Sequence, residues 1–143
     1  AVLDPLTGQV LRRTALAGLG LPQHIAVDPA SDLVYIAGLL APRYGLVTVL
    51  DASGAILRTI DPTLRRPLNG IAAVAVDAAT RELIVSDDQG LQVFGLTALD
   101  HRRTLPVEGA TWPCGLAVDA AAGTFYAAGP MGAWFGWQID SSD

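Results

Sequence analysis

Apolar residues come in short runs along the whole chain, rich in valine, isoleucine, leucine and tyrosine. Each run breaks at a cluster of glycine, proline, aspartate or small residues. Runs of this length and composition, bounded by turn residues, read as β-strands, and the frequent Gly and Pro breaks argue against helices. In the best-preserved stretch, strands are predicted near 24–27, 33–37, 46–50 and 55–60.

The pattern repeats. "LPQHIAVDPASDLVYIAG" (21–38) returns as "IAAVAVDAATRELIVSD" (71–87) and as "WPCGLAVDAAAGTFYAAG" (112–129). Aligned on the aspartate that closes each "AVD" (Asp28, Asp77 and Asp119), the next strand arrives without a gap at Tyr35, Ile84 and Tyr126. Turn-like or small residues lie between, which predicts a hairpin in each copy, with the anchoring aspartate bonding its own turn. A second hairpin precedes each anchor. "VLDPLTGQVLRRTAL" (2–16) resembles "VLDASGAILRTI" (49–60), and in "VFGLTALDHRRTL" (93–105) Gly95 stands where the others have aspartate. Asp4, Asp51 and Gly95 lead the anchors by 24, 26 and 24 residues.

The unit is therefore 42–49 residues long and holds four strands, which is the spacing of a β-propeller blade. The chain is read as a single all-β propeller region. Residues 1–20 give the outer strands of a split blade, 21–61 and 69–107 two blades, and 111–140 a blade lacking its outer strand. About three blades are too few to curl into a closed ring. The sequence thus predicts either a piece of a longer propeller or self-association of two copies, head to tail, into a six-bladed ring.

The motifs "TG-x-V", "I-A-V-D" and "V-Y-I-A" in this register resemble the YVTN and NHL-type repeats of bacterial propellers, and the likeness covers nearly the whole chain. It implies a β-propeller with its ligand face around a central channel, in an extracytoplasmic setting. It does not select a function, because such propellers include binding scaffolds, lyases, lactonases and oxidoreductase subunits.

Composition narrows the partners. The net charge is −5 and every basic residue is arginine, a balance that speaks against a nucleic-acid binder tracking phosphates. Cys114 is the single cysteine, which excludes an internal disulfide and a multi-cysteine zinc site. The N-terminal "AVLDPLTGQV" lacks the basic start and apolar run of a signal peptide. Residues 120–139 carry no charge over a membrane-spanning length, but the glycines and the Gly129-Pro130 turn within them predict two strands and a loop.

Candidate chemistry gathers where loop length varies. "GLLAPRYG" (38–45), "DDQG" (87–90) and "GPMG" (129–132) join the second and third strands of successive units, while the rest keeps register. They open on the same face as the entries to the innermost strands. That face is expected to carry Gln23, His24, Arg43, Tyr44, Asn69, Asp87, Asp88, Trp112, Cys114 and Met131. His24, one of two histidines, could serve as ligand or general base, but the favoured reading is a strand-entry residue bonded to backbone. Asp87 and Asp88 could hold Ca²⁺ or another divalent ion, or simply begin a tight turn.

The propeller lactonases that this repeat resembles hold a divalent metal through Glu, Asn and Asp near the channel. One of those ligand positions falls on Cys114, a departure from the pattern. Cys114 itself reads as a small buried apolar residue with no activating partner nearby in sequence. Trp112 could stack on a ligand or wedge between blades, and Trp134 and Trp137 are read as blade packing. The doublets Arg12-Arg13 and Arg102-Arg103, with Arg58, fall on outermost strands, where charge discourages edge-to-edge pairing. Arg65-Arg66 lies in a loop toward the channel and is the pair to test as an anion contact. Together these features predict a non-catalytic scaffold, without a cofactor, binding a protein, peptide or small ligand. The alternative is a metal-dependent enzyme of the lactonase or lyase kind.

Overall fold

The computed structural model describes residues 1–16, 18, 20–40, 44–60, 68, 70–71, 73–107, 114–129 and 134–138, with Tyr44 and 134–138 described as backbone alone. A short hairpin, β1 (Val2–Leu3) with β2 (Val10–Arg12), precedes three antiparallel sheets. The first blade is β3 (Leu21–Asp28), β4 (Leu33–Leu40), β5 (Tyr44–Leu50) and β6 (Ile56–Ile60). The second is β7 (Ala73–Asp77), β8 (Glu82–Asp87), β9 (Gly90–Gly95) and β10 (His101–Leu105). The third is β11 (Gly115–Asp119), β12 (Thr124–Ala128) and β13 (Trp134–Gln138).

Each sheet is a meander, with every strand pairing its sequence neighbours. The first strands of the sheets, β3, β7 and β11, lie side by side with β7 in the middle. This is the propeller arrangement expected from the repeat, and the described residues contain no helix. Accordingly, no helix is long and apolar enough to cross a membrane, and the described part of 120–139 lies mostly in β12 and β13.

The cores lie between sheets. Tyr35, Ala37, Val47, Val49 and Ile60 of the first blade meet Val74, Leu83, Val85, Phe94 and Leu99 of the second. On the second blade's other face, Ile84 and Leu91 meet Phe125 of the third. Because the second blade is covered on both faces, β8 and β9 are buried at every position. In β8 the apolar residues Leu83, Ile84 and Val85 are therefore consecutive rather than alternating, flanked by the buried polar Glu82, Ser86 and Asp87. Among the described residues the third blade is covered on one face, and β12 alternates, with Phe125 and Ala127 buried and Tyr126 and Ala128 exposed.

Local geometry explains the punctuation. The backbone N–H of Asp4, Asp51 and Gly95 donates to the carbonyl of Gln9, Ala55 and Asp100, closing the same outer hairpin three times. That bond needs no side chain, so glycine can replace aspartate there. The left-handed turn position goes to Gly8 and Gly54 in two copies and to Leu99 in the other. Leucine at φ +56° costs about 1 kcal/mol. Leu99 is held by its burial in the core between the first two blades.

The first strand is longer than the predicted 24–27. Leu21 and Pro22 pair with Leu39 and Gly38, and the register then shifts before His24, leaving Gln23 in a bulge. The outer-strand arginines also do more than blunt an edge. Arg12 donates to the Ala52 carbonyl at 2.7 Å, and Arg58 to the Thr97 carbonyl at 3.1 Å, each reaching a turn of the following blade. Arg103 instead grips the buried Glu82 of its own sheet through two bonds of 2.7 and 2.9 Å, with Arg102 at 3.3 Å.

Candidate binding face

One end of the blades carries the entries to β3, β7 and β11 and the connections between second and third strands. Gln23, His24, Asp87, Asp88 and Cys114 all lie at this end. Arg43, Asn69, Trp112 and Met131 lie outside the described residues, as do Arg65 and Arg66 and the side chains of Tyr44, Trp134 and Trp137.

The bulge at Gln23 turns an exposed amide outward, while His24 resumes the ladder opposite Ala37 and is half-buried. His24 Nδ1 accepts the Val74 N–H at 3.4 Å, a bond between two neighbouring innermost strands. In the neutral ring this places the proton on Nε2. The ring is therefore a strand-entry residue bonded to backbone. Beside it is an open cavity of about 360 Å³, walled by Leu16, Pro22, Gln23, His24, Ile25 and Ile36. Ala1 also lines it, and the lining side chains are mostly apolar, with the Gln23 amide and the His24 imidazole as the polar ones.

Asp87 and Asp88 are neighbours with different surroundings. Asp87 is buried and accepts the Gln89 N–H at 2.9 Å and Gln92 Nε2 at 3.1 Å, so it shapes the turn into β9. Asp88 is exposed. Behind Asp87 a polar chain runs outward across the sheet. Gln92 is buried, and its Oε1 accepts from Thr104 Oγ1 at 2.8 Å and from His101 Nε2 at 2.9 Å. With the amide N–H committed to Asp87, His101 is the donor, and its ring stands edge-on to Phe94 at 5.4 Å. Sequence reading missed this chain; its signal is a glutamine inside the otherwise apolar "LQVFG". Cys114 is exposed rather than buried as expected, because it stands just ahead of β11 at the open end of the blade; its backbone N–H donates to the Ala128 carbonyl at 2.7 Å.

The opposite end is built by the three anchors. Asp28 accepts from the Ala30 N–H, Asp77 from Ala79 and Thr80, and Asp119 from Ala121 and Ala122, the turn bonds expected of them. Asp28 has two partners more, the Ser31 hydroxyl and a residue of the next blade. Arg81, in the hairpin of the next blade, donates to Asp28 Oδ2 at 2.7 Å and ties the blades together. Burial pushes the Asp28 carboxyl up, but bonds from Ser31, Arg81 and the Ala30 backbone outweigh it and hold the group below the ordinary carboxylate range.

Arg81 is four residues after its own anchor, a position held by Asp32 in the first blade and Gly123 in the third. All three have positive φ, at +55°, +58° and +60° for Asp32, Arg81 and Gly123. Asp77, whose next blade offers Gly123 there, is fully buried with no partner on Oδ2 among the described residues. Gly123→Arg is therefore expected to supply the missing donor. An arginine there costs about 1 kcal/mol in backbone strain, and a charge-assisted bond to a buried acceptor returns about 1.5–3 kcal/mol. The expected result is a net gain measured by urea unfolding. That gain disappears in an Asp77→Ala background; equal effects in both backgrounds would refute the pairing.

Comparison with known proteins supports the fold. No protein-family profile matches the chain, and no curated protein matches it. Among solved structures, a chain in the crystal structure of a nidogen–laminin complex is similar, with a TM-score of 0.61 and 20% identity over 74% of this chain. The match takes in 38% of that chain, so this protein spans well under half of its neighbour. The likeness is one of β-propeller fold.

Proposed function

We propose that this protein is a non-catalytic propeller scaffold of the YVTN/NHL kind, which binds a protein, peptide or small ligand through the loop face around its channel. The observation that carries this reading is the employment of His24 and Asp87. These two groups on the face have the chemistry for acid–base or metal work, and both hold the scaffold together, His24 across two blades and Asp87 within a turn. What the face offers a ligand is shape: a bulged Gln23, the apolar cavity beside His24, the exposed Asp88 and loops of unequal length. The similar propeller of known structure was solved in a complex of two proteins, which is in keeping with a partner-binding role.

Titration with Ca²⁺, Mg²⁺ and Zn²⁺ tests it against a metal-dependent lactonase or lyase. The melting temperature is expected to stay unchanged with each ion. A specific ion at a hundred times its Kd would stabilise the fold by about 2.7 kcal/mol. An EDTA-reversible rise of that order, lost in Asp88→Ala, would overturn the scaffold reading. Asp88 is exposed, so that variant leaves the turn built by Asp87 in place.

A further inference from the structure

The joint between the second and third blades carries a buried charge that the joint before it does not. Strand alternation sets Val74 and Val76 of β7 against the first blade, so Asp77, the next residue, faces the third. Its cross-strand partner Glu82 faces the same way, two residues before Ile84, which packs on Phe125. Two carboxyl groups thus lie opposite each other on the buried side of one sheet, Asp77 at 0% exposure and Glu82 at 4%. Like charges so placed repel. At the first joint Asp28 stands opposite Leu33 instead.

One carboxylate of the pair is answered and the other is not. Arg103 binds both oxygens of Glu82, and Arg102 adds a further bond. Asp77 Oδ1 accepts the N–H groups of Ala79 and Thr80, and Oδ2 has no partner among the described residues. The equivalent oxygen at the first joint, Asp28 Oδ2, takes its bond from Arg81. That donor comes from the turn of the following blade, and at the second joint the corresponding turn position is Gly123, with nearly the same φ. The chain therefore builds the acceptor for a guanidinium and sets glycine where the donor would stand. The fully buried Tyr35 of the first joint is also replaced, by the smaller Ile84.

We infer that the joint between the second and third blades binds a guanidinium group from outside the fold, which donates to Asp77 Oδ2 as Arg81 donates to Asp28. The chemistry selects that group. A calcium or magnesium ion takes about six or more oxygen ligands, whereas here one oxygen is open, Glu82 being held by Arg103. No group of three metal-ligating side chains occurs among the described residues. A guanidinium is planar, always charged and more weakly hydrated than an ammonium, so it gives up least on leaving water for a buried carboxylate.

Depth is no obstacle. Arg81 keeps 42% of its side chain in water while its Nη1 lies 2.7 Å from a fully buried oxygen, so an oxygen at this place lies one side chain below the surface. Uptake at Asp77 parts the neighbouring turns locally, as repeat architectures open one unit at a time. The site stands at the end opposite the loop face and is independent of what that face binds.

Ethylguanidinium, at millimolar concentrations far below those that denature, tests the site by NMR titration. Saturable shifts are expected at the amides of Ala79, Thr80 and Gly123, with little change across β4 and β5. Asp77→Asn keeps an oxygen for the turn and removes the charge, and Gly123→Arg fills the place from within. Each is expected to weaken binding about tenfold or more, the worth of one charge-assisted bond. A blocked Gly-Arg-Gly peptide separates the sources of the group. Binding as tight as that of ethylguanidinium assigns the site to an arginine of a protein partner, and binding of ethylguanidinium alone assigns it to a small free guanidinium compound. A wild-type protein with no saturable shift at these amides would overturn the inference. So would equal binding by wild type and Asp77→Asn while circular dichroism shows both folded.

Discussion

Replacing Phe125 by alanine is expected to cost the protein about 3–4 kcal/mol, measured by urea unfolding. Its ring is 2% exposed and sits with Ile84 and Leu91 of the second blade, flanked by Leu105, Val107, Leu116 and Val118. It is the largest side chain in the core that fastens the third blade to the second, and truncation leaves a cavity that sheets held by backbone ladders cannot easily close. In a repeat architecture each unit leans on its neighbours, so the loss is local before it is global. Amide exchange is expected to quicken first in β11 and β12, while β4 and β5, whose core with the second blade is separate, stay protected. A loss below about 1 kcal/mol, or exchange rising evenly across the chain, would mean that this core does not hold the third blade.

Asp28→Ala is expected to cost about 2–3 kcal/mol, and Asp119→Ala about 0.5–1 kcal/mol, although the two occupy the same place in their repeats. Asp119 is exposed and serves two N–H groups of its own turn. Asp28 is fully buried and serves its turn, the Ser31 hydroxyl and Arg81 of the next blade. Arg81 keeps 42% of its side chain in water, so the ion pair is screened and the figure stays below that of a wholly buried pair.

The pH dependence has a definite sign. Asp28 has a lowered pKa in the folded protein, so its contribution is present above the unfolded value of about 3.9 and is lost as pH falls through the folded value. The stability gap between wild type and Asp28→Asn is therefore expected to be constant from neutral pH down to about 5 and to shrink below about 4. Equal losses for Asp28→Ala and Asp119→Ala would show that the link to Arg81 adds nothing.

The contrast between these aspartates shows where reading the chain stops. Sequence places Asp28, Asp77 and Asp119 in register and assigns each a turn, and each makes that turn. The feature that separates them lies at the next blade's position four residues past its anchor, where Arg81 answers Asp28 and Gly123 leaves Asp77 unanswered. The repeat puts those residues in register but says nothing of contact between them, because they come from different blades and 53 residues separate Asp28 from Arg81. Arg12 and Arg58 behave alike. Their place on outer strands is legible, but the turn carbonyls they reach become visible only once the blades are stacked. His24 was readable as a strand-entry residue bonded to backbone, but its acceptance of the Val74 N–H depends on two innermost strands lying side by side.

By itself the sequence determined the strands, their grouping in fours and the turns between them. Those depend on side-chain alternation, on residues that accept turn geometry, and on bonds within a few positions along the chain, all local properties. The tertiary structure decided which faces are covered. The run "ELIVSD" and the strand "TFYAA" both pair as antiparallel strands, but the first is buried on both sides and the second on one, because the second blade has two neighbours and the third has one among the described residues. Burial is a property of what stands opposite, and for Ile25 and Tyr126 that depends on stacking between blades, not on the residues beside them in sequence.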